Sequence, residues 1–110
     1  ISHGNILAEA IPIGGFRLID RNQADDKIIA VLKDDAVYGA MHEIAECPAP
    51  VIERLKHYFL TYKDLPNTKL DVEITHTYDA KEAKEVILRS MEDYRIKFED
   101  FDSLLSAVEV

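Results

Sequence analysis

Cysteine is nearly missing from this chain: Cys47 is the only one among 110 residues, which excludes an internal disulfide. No secretory segment is visible, so Cys47 is expected to be a reduced thiol in a cytoplasmic protein. Its neighbours Glu46 and Pro48 offer no cation or helix N-terminus to lower its pKa, so no nucleophilic role is expected. Long apolar runs are missing too. Charges such as Glu9, Arg17, Lys33 and Glu53 interrupt every stretch before it reaches the roughly 20 residues that a membrane-spanning helix needs, and no membrane partner is expected. Basic residues are outnumbered, 13 Lys and Arg against 21 Asp and Glu. The resulting net charge of −8 repels a phosphate backbone, argues against nucleic acid and makes divalent cations the natural partners. Neither G-x-x-x-x-G-K-[ST] nor G-x-G-x-x-G occurs, so a nucleotide-binding loop is not expected. His3, His42, His57 and His76 do not fall at zinc-site spacing. The opening Ile1-Ser2-His3-Gly4 has neither Met nor a basic-then-apolar segment, and a truncated or processed chain is expected.

What is present suits one soluble domain over residues 1–110: hydrophobic residues make up 47%, with a mean hydropathy of −0.14. Residues 6–13 are apolar apart from Glu9, Gly14-Gly15 interrupts them, and Phe16, Leu18 and Ile19 resume, which predicts strand, tight turn, strand. A polar connection over 21–26 leads into Lys27-Ile28-Ile29-Ala30-Val31-Leu32, a β-branched run expected to form a buried strand. Residues 33–49 look irregular. Pro50 then fits a helix start, and Val51, Ile52, Leu55, Phe59 and Tyr62 recur at helical spacing until Leu65-Pro66-Asn67 stops them.

Leu70, Val72, Ile74, His76 and Tyr78 alternate with polar residues, predicting a strand with one buried face. Asp79-Ala80-Lys81-Glu82 matches a capping box for a second helix, expected over about 79–95, with Ala83, Val86, Ile87, Ser90 and Tyr94 facing inward. Residues 98–110 read as a loosely packed tail or a partner surface. The predicted order β, β, β, α, β, α favours an α+β domain with a small antiparallel sheet or barrel.

Chemistry concentrates in Asp20-Arg21-Asn22-Gln23-Ala24-Asp25-Asp26-Lys27, where three carboxylates and a lysine share one polar connection. An acidic surface turn explains such a string as readily as a metal site does. Magnesium requires hard oxygen ligands, one or two of them carboxylates, and Asp20 with Asp25 could supply these across the connection. Lys27 could then hold a phosphate as a point charge. Tyr62 can simply complete the helix stripe, and Lys63 can complement the helix C-terminus.

The strings Gly15-Phe16-Arg17-Leu18-Ile19-Asp20, Asp25-Asp26-Lys27-Ile28-Ile29-Ala30-Val31 and His57-Tyr58-Phe59-Leu60-Thr61-Tyr62-Lys63-Asp64-Leu65 occur in that order, and together they resemble the second half of the soluble family I inorganic pyrophosphatases. The resemblance extends more weakly through 79–94. It implies part of an OB-like antiparallel β-barrel flanked by two α-helices. It also implies Asp20 and Asp25 as metal ligands, Lys27, Tyr62 and Lys63 as phosphate ligands, Mg2+ (Mn2+ as substitute) as cofactor, inorganic pyrophosphate as substrate, and a homo-oligomer, dimer or hexamer. No residue is singled out as catalytic.

The family pattern also has an earlier half, with a glutamate, lysine and arginine cluster and a D-G-D-P-x-D signature. Here Glu9 is the only carboxylate and Arg17 the only lysine or arginine before Asp20. The resemblance therefore implies a C-terminal portion that is poorly active alone. The alternatives are a noncatalytic oligomerisation domain derived from that family, or an acidic protein-interaction module using residues 98–110.

Overall fold

A single strand stands where two were expected. β1 runs without a break over Ala10–Asp20, through Gly14 and Gly15, and no glycine among the described residues has positive φ. These glycines serve close approach instead of a turn. A Cβ at Gly14 would lie 2.6 Å from the Tyr78 carbonyl oxygen and 2.7 Å from Ile44 Cβ, and one at Gly15 would strike the Tyr78 ring. The irregularity falls just before them, where the pairing register shifts between Pro12 and Gly14 and leaves Ile13 as the extra residue of a bulge. The computed structural model describes residues 7–62 and 71–108. The predicted helix stop at Leu65-Pro66-Asn67 and the strand start at Leu70 lie outside them, as do Ile6, His3 and Lys63.

The expected polar connection shrinks to two residues. Arg21 and Asn22 have φ of 52° and 67°, the pair of left-handed conformations that a tight hairpin demands. Asn tolerates that region well, whereas Arg21 is held there in part by its N–H donating to the Asp71 carbonyl at 3.0 Å. Strand β2 therefore begins at once and covers Gln23–Leu32, so Asp25 and Asp26 are strand residues with opposite side-chain directions.

Helix α1 (Ala49–Thr61) starts with Pro50 in its first turn and ends on Tyr62, whose N–H donates to the Tyr58 carbonyl at 2.8 Å. Strand β3 (Val72–Asp79) pairs antiparallel with β1, giving the sheet order β2-β1-β3. Helix α2 (Ala80–Val108) follows directly. Among the described residues the order β, β, α, β, α is an α+β fold with a three-stranded antiparallel sheet and two α-helices.

The single buried face read for β3 is corrected by a second register shift. Arg17 pairs with His76 but Leu18 with Ile74, so Thr75 is the extra residue, its hydroxyl donating to the Arg17 carbonyl at 3.3 Å. Beyond the bulge the side-chain phase inverts. Val72 and Ile74 lie on the α1 face of the sheet, opposite Asp20 and Leu18, while His76 and Tyr78 lie on the α2 face, opposite Arg17 and Gly15.

Each face carries its own core. On the α1 face, Phe16, Leu18 and Ile13 are essentially unexposed, and Phe16 meets Phe59 edge-to-face at 6.2 Å. Each such buried side chain contributes roughly 1.5–3 kcal/mol. On the α2 face, Tyr78, Ala83 and Val86 cluster with half-buried Ile28. The capping box at the start of α2 is only half made: Glu82 N–H donates to Asp79 Oδ1 at 2.9 Å, but the Glu82 carboxylate turns to Arg17. Glu43 fills in, accepting from Ala80 N–H at 3.0 Å. Helix α2 continues well past residue 95, and its side chains from Ser90 to Ser106 are exposed.

Candidate functional site

Strand alternation sorts the acidic string into two groups. Within the β1–β2 hairpin, Asp20 pairs with Gln23, Leu18 with Asp25 and Phe16 with Lys27, so all six residues share the face that α1 covers. Asp20 and Asp25 are diagonal neighbours across the ladder, a relation that puts side chains about 7–8 Å apart. Lys27 Nζ lies 3.0 Å from Asp25 Oδ2 and 5.8 Å from the centre of the Phe59 ring. The lysine is thus held half-buried between a carboxylate and an aromatic face.

Helix α1 brings the aromatic part of this face. Phe59 packs on Phe16 and meets Tyr62 edge-to-face at 6.3 Å, and Tyr62 stacks on Tyr58 at 5.3 Å. Tyr62 is 43% exposed at the end of the helix, beside the Phe59 ring. Four of the five residues expected to form the site, Asp20, Asp25, Lys27 and Tyr62, thus stand on or beside one sheet face. The fifth, Lys63, lies outside the described residues.

Asp26 belongs elsewhere, and sequence reasoning that grouped it with Asp25 missed its role. It pairs with Arg17 across the hairpin on the α2 face, where Arg17 Nε donates to Asp26 Oδ1 at 3.1 Å and the Tyr78 hydroxyl donates to the same oxygen at 3.3 Å. Arg17 Nη2 also donates to Glu82 Oε2 at 3.2 Å, and the guanidinium lies 5.3 Å from the Tyr78 ring centre. The hydrogen bond to Asp26 raises the Arg17 pKa above its ordinary value against the cost of burial. Burial pushes the Tyr78 phenol up to about 12, with the Asp26 charge and hydrogen bond adding to it. The signal for this second group was available in the parity of the string: once the turn is two residues long, Asp25 and Asp26 must face apart.

The donor set on the α1 face, two carboxylates, suits a hard divalent cation in kind. Among the described residues no group of three or more His, Cys, Asp or Glu side chains is close enough to hold an ion. Cys47 is a half-buried free thiol beside an apolar cavity lined by Ile13, Val31, Val51 and Leu55. His42, His57 and His76 are exposed. No described helix is long and apolar enough to cross a membrane.

Comparison with known proteins bears on the same region. The profile of the family described as inorganic pyrophosphatase matches residues 1–95. An inorganic pyrophosphatase of Chlamydia muridarum is 52% identical over 99 residues, covering 86% of this chain and 47% of the relative. One from Chlamydia caviae is 48% identical over 103 residues, covering 89% and 48%. The crystal structure of an inorganic pyrophosphatase from Thermus thermophilus superposes with a TM-score of 0.73 at 26% identity, over 86% of this chain and 55% of that one. The chain spans about half the length of the curated relatives it matches. By profile, sequence and fold, the chain belongs to the inorganic pyrophosphatase family.

Proposed function

We propose that this chain forms one wall of the active site of a magnesium-dependent inorganic pyrophosphatase, which hydrolyses inorganic pyrophosphate to two phosphates and accepts manganese as a substitute. The observation that carries the reading is the hairpin register, which sets Asp20, Asp25 and Lys27 on one face beside the aromatic end of α1 while turning Asp26 away. Family membership supports it.

Asp20 and Asp25 would hold a divalent ion, as hard oxygen donors in the number that magnesium takes from a protein. When bound, the metal supplies Lewis acidity toward phosphoryl oxygens and lowers the pKa of water. Lys27 binds a phosphate oxygen as a compact cation, its position fixed by Asp25 and by Phe59. Tyr62, at the end of α1, donates a second hydrogen bond to phosphate, and Lys63, next in sequence, adds a charge. These groups orient the diphosphate and stabilise charge that develops as its bridge is cleaved. Two carboxylates cannot complete a two-metal site, so the 110 residues alone turn over slowly. The protein acts in the cytoplasm, as a homo-oligomer that is a dimer or a hexamer and without a nucleic-acid or membrane partner, in keeping with the acidic charge of −8.

Manganese titrated into the isotopically labelled chain tests the assignment. Paramagnetic broadening should centre on Asp20 and Asp25, vanish in Asp20→Asn and Asp25→Asn, and persist in Asp26→Asn. Broadening that survives both of the first two substitutions would place the ion elsewhere and remove the reading's support.

A further inference from the structure

Asp25 and Lys27 stand two residues apart on strand β2, so alternation puts their side chains on one face of the sheet and Asp26 on the other. The two aspartates are held very differently. Asp26 Oδ1 accepts from both Arg17 Nε and the Tyr78 hydroxyl, and Arg17 is tied in turn to Glu82 at 3.2 Å. That carboxylate cannot turn away without orphaning a phenol that is only 3% exposed. The Asp25 carboxylate has one side-chain partner among the described residues, Lys27 Nζ at 3.0 Å. Lys27 has a second hold that needs no carboxylate, the Phe59 ring 5.8 Å away. Both side chains of the Lys27–Asp25 pair are a quarter to a third exposed, and a pair of that kind is weak and readily exchanged.

The roles proposed above turn Asp25 toward a divalent cation and Lys27 toward a phosphate, yet at 3.0 Å each neutralises the other. A lysine so paired attracts an anion weakly, and the carboxylate beside it repels one. We infer that Asp25 is a latch on Lys27: paired, it withholds the ammonium charge from phosphate, and turned to a divalent cation it releases that charge while Phe59 keeps the ammonium in place. The latch rests on the site reading given above and adds to it a coupling between the two ligands. The coupling is reciprocal, since phosphate on Lys27 equally frees Asp25 for the cation. An ion pair of this exposure corresponds to a factor of roughly 2–5 in each binding constant.

Inorganic phosphate titrated into the chain with a chelator present, followed by NMR, tests the latch without any metal. Asp25→Asn should raise phosphate affinity by roughly 2–5-fold and Asp26→Asn should leave it unchanged. Lys27→Met alone should change it less than about twofold, because the paired lysine contributes little, and Asp25→Asn with Lys27→Met should lose the gain. The second arm uses Mn2+ alone. Lys27→Met should tighten Mn2+ binding by roughly 2–5-fold, whereas Lys56→Met should not, although it removes an equal charge from the same face, 5.9 Å from the Phe16 ring centre. An Asp25→Asn chain that binds phosphate no better than the wild type, a gain that survives Lys27→Met, or Mn2+ affinity indifferent to Lys27→Met would overturn the latch and leave the site reading standing. Mn2+ broadening centred away from both Asp20 and Asp25 would remove the site reading and the latch with it.

Discussion

Replacing Asp25 and Asp26 one at a time by alanine separates the two faces of the sheet. Asp26→Ala removes the acceptor of the Tyr78 hydroxyl, 3.3 Å away, and of Arg17 Nε, 3.1 Å away. Tyr78 is only 3% exposed, so its hydroxyl loses a partner where water does not easily replace it, a cost of about 1–3 kcal/mol. The Arg17–Asp26 ion pair is a third to a quarter exposed, and Arg17 keeps Glu82, so its loss adds only about 0.5–1 kcal/mol. Together these give about 1.5–4 kcal/mol and a melting temperature lowered by roughly 8–20 °C. Asp25→Ala removes one ion pair with Lys27, likewise a quarter to a third exposed and worth about 0.5–1 kcal/mol, and should lower the melting temperature by roughly 5 °C at most. Thermal unfolding of the two variants, followed by circular dichroism, is the assay. Equal losses, or a larger one for Asp25→Ala, would show that the register is wrong and that the two aspartates do not face apart.

Two further outcomes follow from the α2 face. The Tyr78 phenol ionises near 10 in the unfolded chain and near 12 when folded, so the neutral form is common to both states below pH 10 and contributes no pH dependence there. Between pH 10 and 12 unfolding releases its proton, and about 2–3 kcal/mol of stability is lost as pH rises. Urea midpoints at pH 8, 10 and 11.5 should fall accordingly, and the fall should flatten in Tyr78→Phe; an equally steep fall without the phenol would assign the effect to other groups. Gly15→Ala forces a methyl group into the Tyr78 ring and should cost about 1–3 kcal/mol even though the backbone angle suits alanine. A neutral or stabilising effect in the same urea titration would mean that the ring has room to move.

Most of the architecture was legible from periodicity, because α1 and the start of α2 are amphipathic at helical spacing, and Pro50 in the first turn of α1 and the cap at Asp79 mark where they begin. What escaped was set by contacts between distant segments. Gly14-Gly15 reads as a turn locally, and only the Tyr78 ring, some sixty residues away in sequence, explains why glycine is needed in a straight strand. Thr75 looks like one more polar residue in an alternating strand, and no local pattern announces that it is extra. The proposed site residues Asp20, Asp25, Lys27 and Tyr62 come from family resemblance; their grouping on one face, and the separation of Asp26, became visible once the hairpin turn had shrunk to Arg21-Asn22. Residues 98–108 read as a tail because acidic residues dilute the apolar ones, although the repeat that makes them helical continues unbroken from Ile87.

The central claim is that Asp20 and Asp25 act together in pyrophosphate hydrolysis. Grafting this chain into the Chlamydia muridarum inorganic pyrophosphatase, in place of the 99 residues with which it aligns, places that claim in a full-length setting. Phosphate release from pyrophosphate with magnesium is then measured. The graft should be active, Asp20→Asn and Asp25→Asn should each lower its turnover by about 100-fold or more, and Asp26→Asn should leave most of it. Activity that stays within a few-fold of the unmodified graft in both of the first two variants would contradict the account.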